Sequence, residues 1–207
     1  MIGLWRALLF GLVRFLIGAH PRWLGCAPLP HQRIYFSNHS SHLDTLALLT
    51  ALPPYLRART RPVAAKDYWN ATWITRFLAQ GCLRAILVER HPKPGSDPLA
   101  PLIEALEQGD SLILYPEGTR GDGETAPFKP GLYHLAKRFP LAELVPVYLD
   151  TLSRSLPKGA FVIVPFLCTP SFGQPLHLIE GEGKINFLAR AQQAVRVMGP
   201  DNKEPPR

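Results

Sequence analysis

Cysteine is scarce in this chain of 207 residues, which contains only Cys26, Cys82 and Cys168. The three lie far apart and none belongs to a Cys-x-x-Cys pair. The sequence therefore offers neither a disulfide framework nor a cysteine-based zinc site. A reducing environment that faces the cytosol is the simplest interpretation of this cysteine content.

Concentrated positive charge is also missing, although the formal net charge is +7. The arginines are scattered, and the chain has no Lys/Arg block, no zinc-finger spacing and no aromatic-rich RNA signature. A scattered basic balance suits anionic lipid or phosphorylated substrates better than nucleic acid. We therefore expect a membrane partner and no nucleic acid.

The chain lacks an uninterrupted apolar run of about 20 residues, the length that a transmembrane helix requires. Residues 2–19 are strongly apolar, but Arg6 and Arg14 interrupt them. On a helix these arginines fall about 80° apart and can share one face, while Trp5 and its apolar neighbours form another. No small-residue cleavage site follows, so a signal peptide is disfavoured. We expect a helix lying in the headgroup region, with a core helix packed on the domain and, less favoured, a true transmembrane span as the alternatives.

Strand-like and helix-like segments alternate along the rest of the chain. Strands are expected at residues 32–37, 62–65, 84–88, 110–114, 144–149 and 161–167. Helices are expected at residues 43–52, 68–79, 99–107, 130–138 and 184–197, with Asp97 as the N-cap of the third. This alternation predicts an α/β fold in which helices flank a mixed, largely parallel central sheet. We divide the chain into a membrane-associating segment (1–25), one main domain (26–198) and a disordered tail (199–207).

The first polar cluster, residues 38–44, follows the strand predicted at 32–37. If His39 lies in the turn and Asp44 in the first helical turn, the carboxylate can reach the imidazole. It would then fix the tautomer and make His39 a general base for an alcohol. His42 keeps a metal cluster of His39, His42 and Asp44 open as an alternative, and capping or core roles are further ones.

The second polar cluster, residues 115–120, follows the strand predicted at 110–114. Glu117 and Arg120 flank Gly118 and Thr119. Arginine matches phosphate geometry, and glycine lets a ligand approach the backbone. Taken alone, this hexapeptide is better explained as a turn that carries a surface arginine.

Together, these clusters resemble the lysophosphatidate and glycerol-3-phosphate acyltransferase family. The family's Asn-His-x-Ser-x-x-Asp block is carried by Asn38, His39, Ser41 and Asp44, and its Phe-Pro-Glu-Gly-Thr-Arg block by Tyr115–Arg120, with tyrosine for phenylalanine. Further matches, in the family's order, are Lys66, Arg90, the Phe128-Lys129-x-Gly131 segment and a Val-Pro-Val strand at 145–147. The blocks lie about 75 residues apart, and the resemblance covers roughly residues 30–177.

The resemblance implies direct acyl transfer without an acyl-enzyme intermediate. His39 would deprotonate the acceptor hydroxyl of lysophosphatidate or a related lysolipid, and Asp44 would orient His39. The remaining implied binding residues are Glu117, Gly118, Thr119, Arg120, Arg90 and Lys66. The acyl donor would be acyl-CoA or acyl-carrier protein, with no metal and no organic cofactor. The implied location is the cytoplasmic face of the inner membrane.

Two hypotheses compete with this enzyme. A non-catalytic lipid-binding module of the same fold would explain the basic balance and the N-terminal helix. A metal-dependent lipid hydrolase would use His39, His42 and Asp44. The oriented base favours the acyltransferase, because a binding module has no need of one.

Overall fold

The computed structural model describes residues 2–39, 41, 43–69, 72–89, 95–118, 127–149 and 168–199. The strands within these ranges are β1 (Arg22–Trp23), β2 (Arg33–Ser37), β3 (Thr60–Ala65), β4 (Ile86–Val88), β5 (Ser111–Leu114), β6 (Glu143–Leu149) and β7 (Pro170–Phe172). They form one sheet in the order β1-β7-β6-β2-β5-β3-β4. Every pairing is parallel except that of β6 with β7. The predicted mixed, largely parallel sheet is therefore confirmed.

The helices flank this sheet. They are α1 (Ile2–Ile17), α2 (Asp44–Ala51), α3 (Pro54–Ala58), α4 (Lys66–Trp69), α5 (Trp73–Arg76), α6 (Ala100–Glu107), α7 (Gly131–Arg138) and α8 (Lys184–Arg196), with a π-helical turn at Phe77–Cys82. Four of the predicted helices are present with small shifts at their ends. Helix α6 begins with Leu99 as its N-cap, although the Asp97 carboxylate accepts the Leu99 N–H at 2.9 Å. The strand predicted at 161–167 and the tail after residue 199 lie outside the described residues.

The continuous helix predicted at residues 68–79 is wrong. Thr72 and Thr75 form a reciprocal capping box, in which the Thr72 hydroxyl accepts the Thr75 N–H at 3.2 Å. A capping box satisfies the first free N–H groups of a helix, so a new helix begins at Trp73. Helix α5 then continues into the π-helical turn, which ends at Cys82.

Side chains on β2 alternate between two buried clusters on opposite faces of the sheet. Ile34 and Phe36 pack in one cluster with residues of α6, α7 and α8. Tyr35 packs in the other with residues of α1, α2 and α3. This two-residue period is what a strand buried on both faces produces. The result is a three-layer arrangement in which the sheet separates the two sets of helices.

Helix α1 has two apolar faces. Phe10 and Val13 are buried against the domain, as the alternative of a packed helix requires. The opposite apolar face stays exposed and consists of Leu4, Trp5, Leu8, Leu12 and Phe15. In the described part of the chain, no helix combines the length and the hydropathy that a membrane span needs. The division at residue 25 stays a prediction.

Candidate active site

The two polar clusters lie side by side because β2 and β5 are neighbours in the sheet. Their parallel pairing runs from Ile34 with Leu112 to Phe36 with Leu114. Segments that follow the carboxyl ends of adjacent parallel strands emerge at the same sheet edge, where ligands bind in open α/β sheets. The described residues of the first cluster, Asn38, His39, Ser41, Leu43 and Asp44, thus form one site with Tyr115–Gly118, although about 70 residues separate the two clusters in sequence.

His39 and Asp44 make the predicted contact. The His39 Nδ1 atom lies 2.8 Å from Asp44 Oδ2, which also accepts the Ser41 N–H at 2.9 Å. Asp44 is the first residue of α2 and its side chain is completely buried. A carboxylate on Nδ1 places the imidazole proton there, and this leaves Nε2 able to accept a proton. His42 lies outside the described residues, so the three-residue metal cluster is untested.

Asn38 fixes the point at which the chain leaves β2. Its side-chain Oδ1 accepts the Leu149 N–H at 2.9 Å, and its Nδ2 donates to the Leu149 carbonyl at 3.3 Å. The side-chain amide therefore extends the β2–β6 ladder beyond the last backbone pair, Ser37 with Val147. The main chain is then free to turn, and the next residue is His39. The sequence analysis noted Asn38 but gave it no role.

Tyr115 lies against the imidazole of His39. The ring centroids are 4.3 Å apart and the ring planes are inclined by 24°. The Tyr115 hydroxyl shares a 3.0 Å hydrogen bond with the hydroxyl of Thr45, the residue after Asp44. Burial, followed by the charge of Asp44, raises the pKa of Tyr115 well above its ordinary value. The phenol therefore stays neutral at physiological pH.

A largely apolar cavity of about 470 Å³ opens beside His39. Small-molecule sites in proteins typically measure about 300–1,000 Å³. The apolar wall includes Val63, Trp69, Val88, Leu99, Leu102, Leu114, Leu132 and Leu135. Polar groups are few, and they include the side chains of His39, Glu89, Lys129 and His134. The cavity can hold a long apolar chain with one end at the His39–Asp44 pair.

Two of the predicted binding residues, Glu117 and Lys66, are not among the residues that line the cavity. Glu117 is only 4% exposed, and its neighbours Pro116 and Gly118 line the cavity instead. Lys66 is exposed and forms an ion pair with Glu89 at 3.0 Å. Because Glu89 lines the cavity and Lys66 does not, Lys66 lies at its rim. Thr119, Arg120 and Arg90 lie outside the described residues.

Lys129 is a cavity residue to which the sequence analysis gave no role. Its backbone N–H donates to the Pro116 carbonyl at 2.8 Å, which anchors it to the turn after β5. Its side chain crosses Gly118, whose φ is +73°. A Cβ on residue 118 would lie 2.5 Å from Lys129 Cε and closer still to Nζ. Glycine is therefore needed at position 118 for two reasons. Its backbone is left-handed, and the Lys129 side chain occupies the space that a Cβ would take. The match of residues 128–131 to the family's Phe-Lys-x-Gly segment was the sequence feature that could have indicated a role for Lys129.

The fold and the site define an α/β protein with a carboxylate-oriented histidine beside an apolar cavity. A family model described as Acyltransferase matches residues 26–165. The chain belongs to this acyltransferase family.

Similar proteins agree with this assignment. A 1-acyl-sn-glycerol-3-phosphate acyltransferase of Limnanthes alba is 31% identical over 172 residues, covering 81% of this chain and 58% of the plant protein. The Bacillus subtilis protein with that name is 28% identical over 142 residues, covering 67% of this chain and 64% of its own. The chain thus spans less than two thirds of the length of these curated relatives.

A solved structure has the same fold. The crystal structure of the 1-acyl-sn-glycerophosphate acyltransferase PlsC from Thermotoga maritima superposes with a TM-score of 0.64. The match covers 97% of this chain and 82% of the other at 20% identity. At that identity the likeness concerns the fold alone.

Proposed function

We propose that this protein transfers a fatty acyl group from a thioester to the free hydroxyl of lysophosphatidate or a related lysolipid, in phospholipid biosynthesis. The donor is acyl-CoA or acyl-carrier protein, and the reaction needs no metal and no organic cofactor. The observation that carries the proposal is the His39–Asp44 pair, with its 2.8 Å contact, on the wall of an apolar cavity. The names of the similar 1-acyl-sn-glycerol-3-phosphate acyltransferases support the choice of acceptor.

The reaction begins at Nε2 of His39. Since Nδ1 is held by Asp44, Nε2 accepts the proton of the acceptor hydroxyl, and the buried carboxylate stabilises the resulting imidazolium. The hydroxyl oxygen attacks the thioester carbonyl and forms a tetrahedral oxyanion. When this intermediate collapses, the C–S bond breaks and the thiolate takes the proton from His39. An ester and a free thiol result, and the enzyme returns to its starting state.

The acyl chain and the acceptor charge require different walls of the cavity. The apolar side chains of β3, β4, α6 and α7 accommodate the acyl chain. Lys129, in the segment before α7, supplies a cation to the same cavity that His39 lines, where it can meet the acceptor phosphate or the oxyanion. Lys66 at the rim, paired with Glu89, is less suited to either role. Arg120 and Arg90 stay predicted phosphate ligands.

The test measures transfer of labelled acyl groups from acyl-CoA and from acyl-carrier protein to lysophosphatidate in detergent micelles. His39→Ala is the variant, and His177→Gln, an exposed histidine outside the cavity, is its matched control. We expect phosphatidate from the wild type and from the control, but not from His39→Ala. Equal product from His39→Ala and wild type would refute the assigned base. If a broad panel of lysolipids yields no product, the non-catalytic lipid-binding module becomes the better explanation.

We further propose that α1 lies on the cytoplasmic face of the inner membrane. Its exposed apolar face includes Leu8 and Phe15, the latter 85% exposed. Burial lowers the pKa of Arg57, and the charges of Arg14 and Arg6 lower it further, so α1 also brings positive charge close to Arg57. A helix with an exposed apolar face and arginines on another face fits the surface of an anionic bilayer.

Flotation with liposomes tests this placement. The double variant Leu8→Ser/Phe15→Ser removes apolar surface from α1 and should release the protein from anionic liposomes. The control is Ile185→Ser, which removes a side chain of similar exposure from α8. Equal release of the control and the double variant would contradict a specific role for α1.

A further inference from the structure

We propose that Thr45 and Tyr115 act as a positioning pair, which sets the orientation of the His39 imidazole and thereby the rate of acyl transfer. The inference rests on the proposed function and adds to it two residues that do not react themselves. It starts from the stacking of Tyr115 on His39 at 4.3 Å and from the 3.0 Å hydrogen bond between Tyr115 and Thr45.

His39 needs a second constraint besides Asp44. The residue lies in the segment after β2, outside any helix or strand, so regular backbone hydrogen bonds do not hold it. The Nδ1–Oδ2 contact fixes one edge of the imidazole but leaves the ring free to rock about that edge. The phenol ring covers one face of the imidazole and stops this motion. Both constraints together hold the imidazole in one orientation at the cavity wall.

The hydroxyl of Tyr115 links the two segments of the site. Asp44 and Thr45 are the first two residues of α2. One of them holds the edge of the imidazole, and the other holds the ring that covers its face. The position of the imidazole therefore depends on a single helix, α2. A phenylalanine at position 115, as in the motif that the sequence resembles, would keep the ring but lose this link.

The variants Thr45→Val and Tyr115→Phe each delete the hydrogen bond and little else. We expect each to lower kcat about 2- to 12-fold, the worth of one neutral hydrogen bond, with KM for both substrates unchanged. The double variant should match either single variant, because both remove the same bond. Thr45→Ser keeps the hydroxyl and should recover most of the kcat lost in Thr45→Val. Additive losses, or a raised KM with kcat unchanged, would overturn the proposal.

A readout independent of activity separates this inference from the proposed function. In NMR spectra of histidine-labelled protein in detergent, the His39 ring signals are assigned by their absence in His39→Ala. Stacking on a phenol ring shifts these signals upfield, and Thr45→Val should move them toward their unstacked positions. Identical His39 signals in the wild type and Thr45→Val would refute the positioning role. A wild type without acyl transfer but with this shift would refute the function and keep the geometry.

Discussion

Replacing Gly118 by alanine tests whether the position of the Lys129 side chain matters for activity, provided that the effect of backbone strain is measured separately. Residue 118 has φ +73°, and an alanine Cβ would overlap the end of the Lys129 side chain. The matched control is Gly181→Ala, because Gly181 has φ +76° and open space around its missing Cβ. Both variants carry the same cost of a left-handed L-residue, about 1–2 kcal/mol. Only Gly118→Ala must also displace the lysine.

The two variants should therefore lose similar stability but different activity. The crowded atoms of Lys129 are the far end of a flexible side chain, so they can move away at little cost in free energy of unfolding. The cation then leaves its place over residue 118 and no longer contacts the acceptor phosphate or the oxyanion. A hydrogen bond to a charged group contributes about 1.5–3 kcal/mol, which corresponds to about a 10- to 150-fold loss of kcat/KM.

The assay combines urea unfolding with acyl-transfer kinetics on both variants. Lys129→Met should reproduce the loss seen in Gly118→Ala, and the combination of Gly118→Ala with Lys129→Met should be no worse than either alone. If Gly118→Ala keeps the kcat/KM of Gly181→Ala, Lys129 has no role in the reaction. An unfolding free energy for Gly118→Ala far below that of Gly181→Ala would instead mean that the turn itself collapses.

Three other variants test the rest of the site and the fold. Asp44→Asn should lower kcat by about 10²- to 10⁴-fold at unchanged KM, because the buried amide cannot stabilise an imidazolium; a small loss would remove Asp44 from the mechanism. Asn38→Ala should lower both the melting temperature and kcat, because it ends the link to Leu149 before His39; a loss of stability alone would limit Asn38 to a structural role. Burial raises the pKa of Glu143, but the hydrogen bonds from His31 and Arg33 outweigh it, so the pKa lies below its usual value. The stabilisation of the fold by ionised Glu143 is therefore fully present above the unfolded-state pKa of about 4.3. It is lost as the pH falls through the lower folded-state pKa. Urea unfolding should show Glu143→Gln less stable than wild type at pH 7, with the difference shrinking below pH ~4; a constant difference would contradict this linkage.

The sequence was sufficient for the central strands and for the His39–Asp44 contact. Strands β2 and β5 contain short apolar runs, residues 34–36 and 112–114, that lead into polar clusters, and such runs are typical of strands buried on both faces. The contact of His39 with Asp44 followed from a turn that leads directly into a helix. Strands β1 and β7 were missed because their two or three residues include an arginine or a proline and a serine, whereas the equally short β4 is apolar throughout.

Long-range contacts could not be predicted because they depend on the order of the strands. The stacking of Tyr115 on His39 requires β5 to lie beside β2, whereas sequence order alone would place β3 there. The path of Lys129 over Gly118 likewise depends on how the segment after residue 126 returns to the sheet edge. The capping box at Thr72 could not be recognised in the sequence, because its N3 residue is Thr75 rather than the usual glutamate or glutamine.

The contacts of the site converge on one structural relation, the parallel pairing of β2 with β5. Asp44 and Thr45 begin the helix that follows β2, whereas Tyr115 and Gly118 belong to the turn that follows β5. The tyrosine–threonine hydrogen bond and the stacking on His39 both cross between these segments. A change of register by one residue would reverse the side chains of one strand and move the segment after it relative to its neighbour. The two motifs therefore act as one site only while this register holds, which explains why a buried core on both faces of β2 is a condition of the chemistry as well as of the fold.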